Sequence, residues 1–309
     1  MSVICSLRPL LLALVMLGAA VEGAAPAMPL TQAQHAPLLA VTQAGQRLIA
    51  LGDHGVVVLS DDGLTWRQAR GVPVDGLLTA LSFVDAKQGW AVGHGGVLLR
   101  TADGGETWAL QQRLEGHPVL LSVWFENARH GIVVGSYGYA AETWDGGRNW
   151  KHLQVGAEGD EYHLNHIFPG PGGSLFIAAE MGNAYRSLNR GGTWQTLDTG
   201  VSGSLWSGLG MRDGRLLLVG MSGRVLLSEN LGDRWREVDS GSQEAITAIT
   251  QLADGRVVLA GNGGLVAIAD VGLERFTASV RDDRLNLAAL APLTDGRVLL
   301  FGPTGVVPQ

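Results

Sequence analysis

The sequence predicts an all-β fold: a seven-bladed β-propeller with a tight hairpin on the outside of each blade, closed by N-terminal residues. Three observations predict it. The aromatics Trp66, Trp108, Trp150, Trp194, Trp235 and Phe276 recur at spacings of 42, 42, 44, 41 and 41 residues, and a period in this range marks a repeat architecture. Each period holds four short strands divided by turn signals, the pattern of one propeller blade. Seven turns of G-x-x-G type, beginning at Gly52, Gly93, Gly135, Glu180, Gly220, Gly261 and Gly302, count the blades.

The second copy displays the elements in order. "LLTALSF" (77–83), "GWAVG" (89–93), "GVLLRT" (96–101) and "TWALQQ" (107–112) read as four strands, separated by "VDAKQG", "GHGG" and "ADGGE". The middle two are nearly all apolar, as strands covered on both faces are. In the fourth copy Glu180 and Asn183 stand where the others carry glycine. The last copy, "GPTGVVPQ" (302–309), stops after its third strand. The segment "APAMPLTQAQ" (25–34) is expected to supply the missing fourth strand, because a ring so closed leaves no exposed sheet edge.

The turn between strands three and four follows Ser/Thr-x-Asp/Asn-x-Gly-x-Thr/Asn/Arg-Trp, and resembles the Asp-box, or bacterial neuraminidase repeat. It places Asp62 with Trp66, Asp103 with Trp108, Asp145 with Trp150, Asn189 with Trp194, and Asn230 with Trp235. The first copy is one residue short, and the sixth, around Asp270 and Phe276, one long. Asp and Asn side chains accept hydrogen bonds from backbone N–H groups a few residues on. Glycine takes the positive φ of a tight hairpin, and the Trp buries apolar area between blades. Copies spaced around a ring cannot all face one site, so these residues read as structural; no catalytic residue and no metal ligand is assigned.

Composition bounds the function. The 309 residues carry a net charge of −7, with 46% hydrophobic residues, 17% charged residues and 45 glycines. This is a folded, turn-rich chain with no broad basic face for nucleic acid. Residues 1–23, one arginine followed by an apolar run and small residues, read as a secretory signal peptide; an uncleaved membrane anchor is the alternative. Residues 24–309 are then a single propeller domain, periplasmic or secreted, with no further membrane span. Cys5 is the sole cysteine, so the mature chain holds no disulfide and no thiolate site.

Two longer phrases, "LSFVDAKQGWAVGHGGVLLRTADGGETW" (81–108) and "LSVWFENARHGIVVGSYGYAAETWDGGRNW" (121–150), resemble the photosystem II stability/assembly factor-like family of Asp-box propellers. The resemblance covers nearly the whole mature chain. It implies an exported, non-enzymatic protein that helps assemble a membrane complex. Its partner is then a protein, from an envelope or membrane complex, and no cofactor is called for. The alternative is a glycoside hydrolase of sialidase type, which shares the Asp-box. That chemistry needs three arginines on the substrate carboxylate, a Tyr–Glu nucleophile pair and an Asp acid. The adjacent Glu161 and Tyr162, read as strand neighbours, point to opposite faces and make no such pair.

A recognition surface is expected where blades differ. In a propeller the turns between strands two and three share a face with the links between blades. The candidate partner-binding residues there are His54, His94, Tyr137, Met181, Met221 and Asn262, which vary where the box residues repeat. The links add Asp75, His117, Asp160, Glu161, Tyr162, His163 and Arg284. One histidine per blade reads as exposed turn residues rather than a metal site. Trp144 and Trp206 are the aromatics expected on the surface; Trp90 and Trp124 are expected in the core.

Overall fold

Glycine-rich turns cut the chain into short strands that pair only with their sequence neighbours. The structure, a computed structural model, describes residues 33–307. The expected signal peptide and all of the expected closing strand up to Gln32 lie outside the described residues. Six four-stranded meanders and one three-stranded meander form the seven blades. Their first strands are Leu38–Ala44, Leu78–Phe83, Leu120–Phe125, Leu164–Pro169, Leu205–Gly210, Ile246–Gln251 and Ala289–Pro292. Each packs beside the next, and the seventh returns to the first, so the ring closes around a central channel.

A bulge in the first strand ties blades together. The register slips at its second residue in blades one to six. A bulged residue leaves its own ladder, and three of these reach the neighbouring blade instead. Thr79 Oγ1 donates to the Leu120 carbonyl at 2.7 Å, Asn165 Nδ2 to Leu205 at 2.8 Å, and Thr247 Oγ1 to Leu287 at 2.6 Å.

The core is not one body but seven clusters, each between two adjacent blades. The box hairpin of each blade folds onto the preceding blade. A Cβ added at Gly105 of blade two would meet Leu59 and Ile49 of blade one, and one at Gly191 of blade four would meet Ile132 of blade three. Trp66 of blade one lies edge-on to Phe301 of blade seven, centroids 5.6 Å apart, and so packs across the seam of the ring. Trp90 is fully buried, stacks on Phe125 at 3.7 Å and donates its indole N–H to the Gly146 carbonyl at 3.0 Å.

The boxes repeat one hydrogen-bond set. The buried hydroxyl of Ser60, Thr101, Thr143, Ser187 or Ser228 accepts the N–H of the box glycine, at 2.8 to 3.0 Å. It donates to the Asp or Asn two residues on, at 2.8 to 3.0 Å. The sixth copy has Ala269 where the hydroxyl belongs, and its turn is held by the Leu273 N–H on the Asp270 carbonyl.

These bonds make the boxes unequal toward acid. The N–H groups of Thr65 and Leu64 hold the Asp62 carboxyl down at about 2. The Asn149 side chain and backbone do the same for Asp145, also about 2. A carboxyl depressed by folding stabilises above its unfolded value of about 4 and loses that contribution as pH falls through the folded value. Asn189 and Asn230 do not titrate. In an amide NMR titration the hairpins of blades one and three are therefore expected to loosen as pH approaches 2, while those of blades four and five hold. Equal loosening of all four hairpins would refute this.

Two expectations are corrected by backbone register. The fourth turn is Ala179–Gly182, not one starting at Glu180: Met181 takes the left-handed position (φ 56°) and Gly182 (φ 74°) the place that Gly55 and Gly223 hold in other blades. A Cβ on Gly182 would stand 1.9 Å from the Val201 carbonyl oxygen, leaving no room for a side chain. Glu161 and Tyr162 lie in a link, not a strand, so strand alternation does not govern where they point.

The described part of the N-terminus occupies the place closure requires. Ala33 is buried in the cluster between blades seven and one. A Cβ on Gly305 would stand 1.8 Å from the Gln34 carbonyl oxygen, as one on Gly55 would stand 2.0 Å from that of Val74. Gln34 thus sits where other blades place the link leaving their fourth strand.

Candidate functional site

The second-to-third-strand turns and the inter-blade links share one face. The Gly55 N–H donates to the Gly76 carbonyl at 2.9 Å, that of Gly96 to Pro118 at 2.7 Å and that of Gly138 to Tyr162 at 3.0 Å. Each turn tip needs one residue in the left-handed region. Blades two and six use Gly95 and Gly263 there, but blades one, three, four and five use His54, Tyr137, Met181 and Ser222, with φ of 55° to 56°. A side chain in this region costs roughly 1–2 kcal/mol of strain. The six candidates are therefore not all equivalent: His54, Tyr137 and Met181 hold the strained tip, while His94, Met221 and Asn262 precede it.

Three of the six line up on consecutive blades, joined through the links between them. Tyr137, Met181 and Met221, with Tyr162 from a link, are 71%, 62%, 43% and 36% exposed. They form a strip over blades three to five. Tyr137 meets His163 edge-on at 4.8 Å, and His163 Nδ1 accepts the Tyr137 N–H at 3.1 Å. The His163 N–H donates to the Glu180 carboxylate at 3.0 Å, and the Glu180 N–H returns to the His163 carbonyl at 3.0 Å. The Met181 N–H reaches Ser204 Oγ at 3.4 Å, and Met221 Cβ lies 3.8 Å from where a Cβ on Gly203 would stand. His54, beside Asp53 at 3.2 Å, and His94 lie over blades one and two, and Asn262 over blade six. Tyr162 and His163 complete the strip; their signal was an aromatic pair in an otherwise acidic link.

The channel is a second concavity, of about 270 Å³, lined by the first strands. Its described lining bears no Asp, Glu, Lys or Arg. His166 Nδ1 accepts the Gly208 N–H at 3.2 Å, which sets its tautomer, and burial pushes the imidazole down to about 4. The ring keeps partial contact with the channel but is enclosed by blades on all sides, so it is neutral near pH 7. Trp206 lines this channel rather than an outer patch. Trp144 is exposed as expected, on the hairpin face, stacked on the buried His130 at 3.9 Å. Trp90 is core, and Trp124 packs partly buried between blades three and four.

Comparison with known proteins adds a family and a set of folds. The sequence profile of the photosynthesis system II assembly factor YCF48 matches residues 58–306. Among solved structures, "YCF48 bound to D1 peptide" is 19% identical, with a TM-score of 0.73 over 88% of this chain and 92% of that one. YCF48 from Cyanidioschyzon merolae is 19% identical, with a TM-score of 0.70 over 92% and 98%. A streptogramin B lyase is 10% identical, with a TM-score of 0.77 over 88% and 93%. No curated protein sequence matches the chain. At these identities the structural likeness speaks for the seven-bladed fold alone.

Proposed function

Because the chain belongs to the family of the photosynthesis system II assembly factor YCF48, we propose that it is a non-enzymatic, exported assembly factor. In this reading it binds a protein segment of a membrane-associated complex, and does so on the turn face of blades three to five. One observation carries the choice of face. Tyr137 and Met181 are large apolar side chains held in left-handed backbone and exposed to water. Glycine serves the same position in blades two and six, so stability alone does not call for them. Strain kept together with exposed apolar surface is what a docking site would retain. The solved YCF48 that holds a D1 peptide is an instance of a family member with a peptide partner.

The remaining features agree with a binding protein. The channel histidine is committed to a backbone N–H and stays neutral. No helix among the described residues is long and apolar enough to cross a membrane. Export rests on residues 1–23, and a periplasmic or secreted location follows from that segment.

The test is capture from the envelope fraction, with bound proteins identified by mass spectrometry. Tyr137→Gly with Met181→Gly is expected to lose the partner while the melting temperature holds or rises. Glycine relieves the strain, and its unfolded-state entropy offsets roughly 0.5–1 kcal/mol of that gain. Trp144→Ala with Leu188→Ala, on the opposite face, is expected to leave capture unchanged. Capture kept by the turn pair and lost by the hairpin pair would move the site to the other face.

A further inference from the structure

We propose that the turn-face strip takes a basic, apolar polypeptide segment, with large aliphatic residues against Tyr137, Met181 and Met221 and Lys or Arg side chains beside them. The proposal rests on the reading that the turn face docks the partner, and adds the chemistry of what docks.

The charge around the strip is one-sided. The turns and links of blades three to five carry Glu158, Asp160, Glu161, Glu180 and Glu244. The one basic side chain among them, Arg224, is held by Glu237 at 2.6 Å. Elsewhere on this face bases offset more of the acids: Arg281 pairs with Asp283 at 2.7 Å, and Arg113 and Arg284 accompany Asp53, Asp75, Glu115 and Asp282. One acid belongs to the strip itself: the Glu180 carboxylate accepts the His163 N–H at 3.0 Å. The Asp160–Glu161 backbone passes against the Tyr137 turn, where a Cβ on Gly138 would lie 2.5 Å from the Asp160 carbonyl oxygen and 3.8 Å from the Glu161 Cα, while the Asp160 carboxylate accepts the Ala157 N–H at 2.9 Å. Glu158 and Glu161 are exposed, and among the described residues neither carboxylate makes a hydrogen bond or ion pair. An incoming carboxylate would be repelled here, whereas an ammonium or guanidinium gains attraction and is steered toward the strip.

The strip is also fixed in shape. Its two tips are locked in left-handed backbone, and the His163–Glu180 exchange of hydrogen bonds staples link to turn. A preformed surface loses little freedom on binding, which favours a short, extended segment over a large folded partner.

The experiment uses the full-length protein and two labelled twelve-residue probes, one alternating leucine and lysine, the other leucine and glutamate, read by fluorescence anisotropy. The lysine probe is expected to bind at least tenfold more tightly, and to weaken as salt rises. Glu158→Gln with Glu161→Gln is expected to weaken it about fivefold and flatten the salt dependence, with melting unchanged. Tyr137→Gly with Met181→Gly is expected to weaken it at least tenfold, also without loss of melting temperature. If the glutamate probe binds equally well and still depends on Tyr137 and Met181, the face is right and the proposed chemistry is overturned. Lysine-probe binding that ignores Tyr137 and Met181 is bulk charge attraction and overturns docking on the strip. Failure of both probes overturns the inference and leaves the family-based function standing.

Discussion

Trp108→Ala is expected to lower the unfolding free energy by about 3–5 kcal/mol, as large-aromatic truncations in packed cores do. The indole is buried in the cluster between blades one and two, among Ile49, Leu59, Ala91 and Leu99. It lies edge-on to Phe83 at 6.0 Å, and its Nε1 donates to the Gly105 carbonyl at 3.1 Å. Alanine removes the filling of that interface and one hydrogen bond of the hairpin together. A paired comparison separates the two contributions. Trp108→Phe forfeits the bond to Gly105, whereas the buried Trp194 Nε1 has no hydrogen-bond partner, so Trp194→Phe forfeits none and relieves an unsatisfied donor. Trp108→Phe should therefore cost more than Trp194→Phe, by roughly the 1 kcal/mol of a typical hydrogen bond. Chemical denaturation of the three variants measures both differences. A Trp108→Ala protein with an unshifted midpoint would show that the box tryptophans are not the filling between blades.

The second large effect is at the seam of the ring. Deleting residues 24–34 is expected to end cooperative unfolding of a monomer and to promote aggregation. It removes Ala33 from the cluster between blades seven and one, and the Gln34 carbonyl from its seat on Gly305. The interface so opened also holds Trp66 against Phe301, and an unpaired strand edge templates association. A point substitution reaches the same contact without shortening the chain. Gly305→Ala places a Cβ 1.8 Å from the Gln34 oxygen at a φ of 83°; Gly182→Ala places one 1.9 Å from the Val201 oxygen at a φ of 74°. Both cannot be accommodated without displacing backbone, so the two variants should destabilise to similar degrees. If Gly305→Ala melts like the unaltered protein while Gly182→Ala does not, the N-terminal turn is only loosely seated and closure depends on other contacts.

The sequence by itself determined the blade count, the strand order within each blade and the box. All three are local and repeated: an Asp or Asn, a glycine and a Trp at fixed offsets act within eight residues of chain, so periodicity exposes them. The family was legible for the same reason, since its phrases are the blade's own turns. The sequence did not show the register of the fourth turn, where Ala179 holds the expected glycine's place and Glu180 follows it. Nor did it show that each hairpin leans on the preceding blade, because that contact joins residues some forty positions apart, as Gly105 does with Leu59. The candidate face was legible as a face, since turns and links alternate along the chain. Which of its residues meet was not. Only the packing of each turn on the link that follows its blade sets Tyr137 beside His163 and Met181 beside Ser204, and only the left-handed backbone shows that two of these side chains are kept at a cost. Trp206 was misplaced for a related reason: strand alternation gives a residue one of two faces, but the bulge at Trp206 itself and the closing of seven blades decide that its face is the channel.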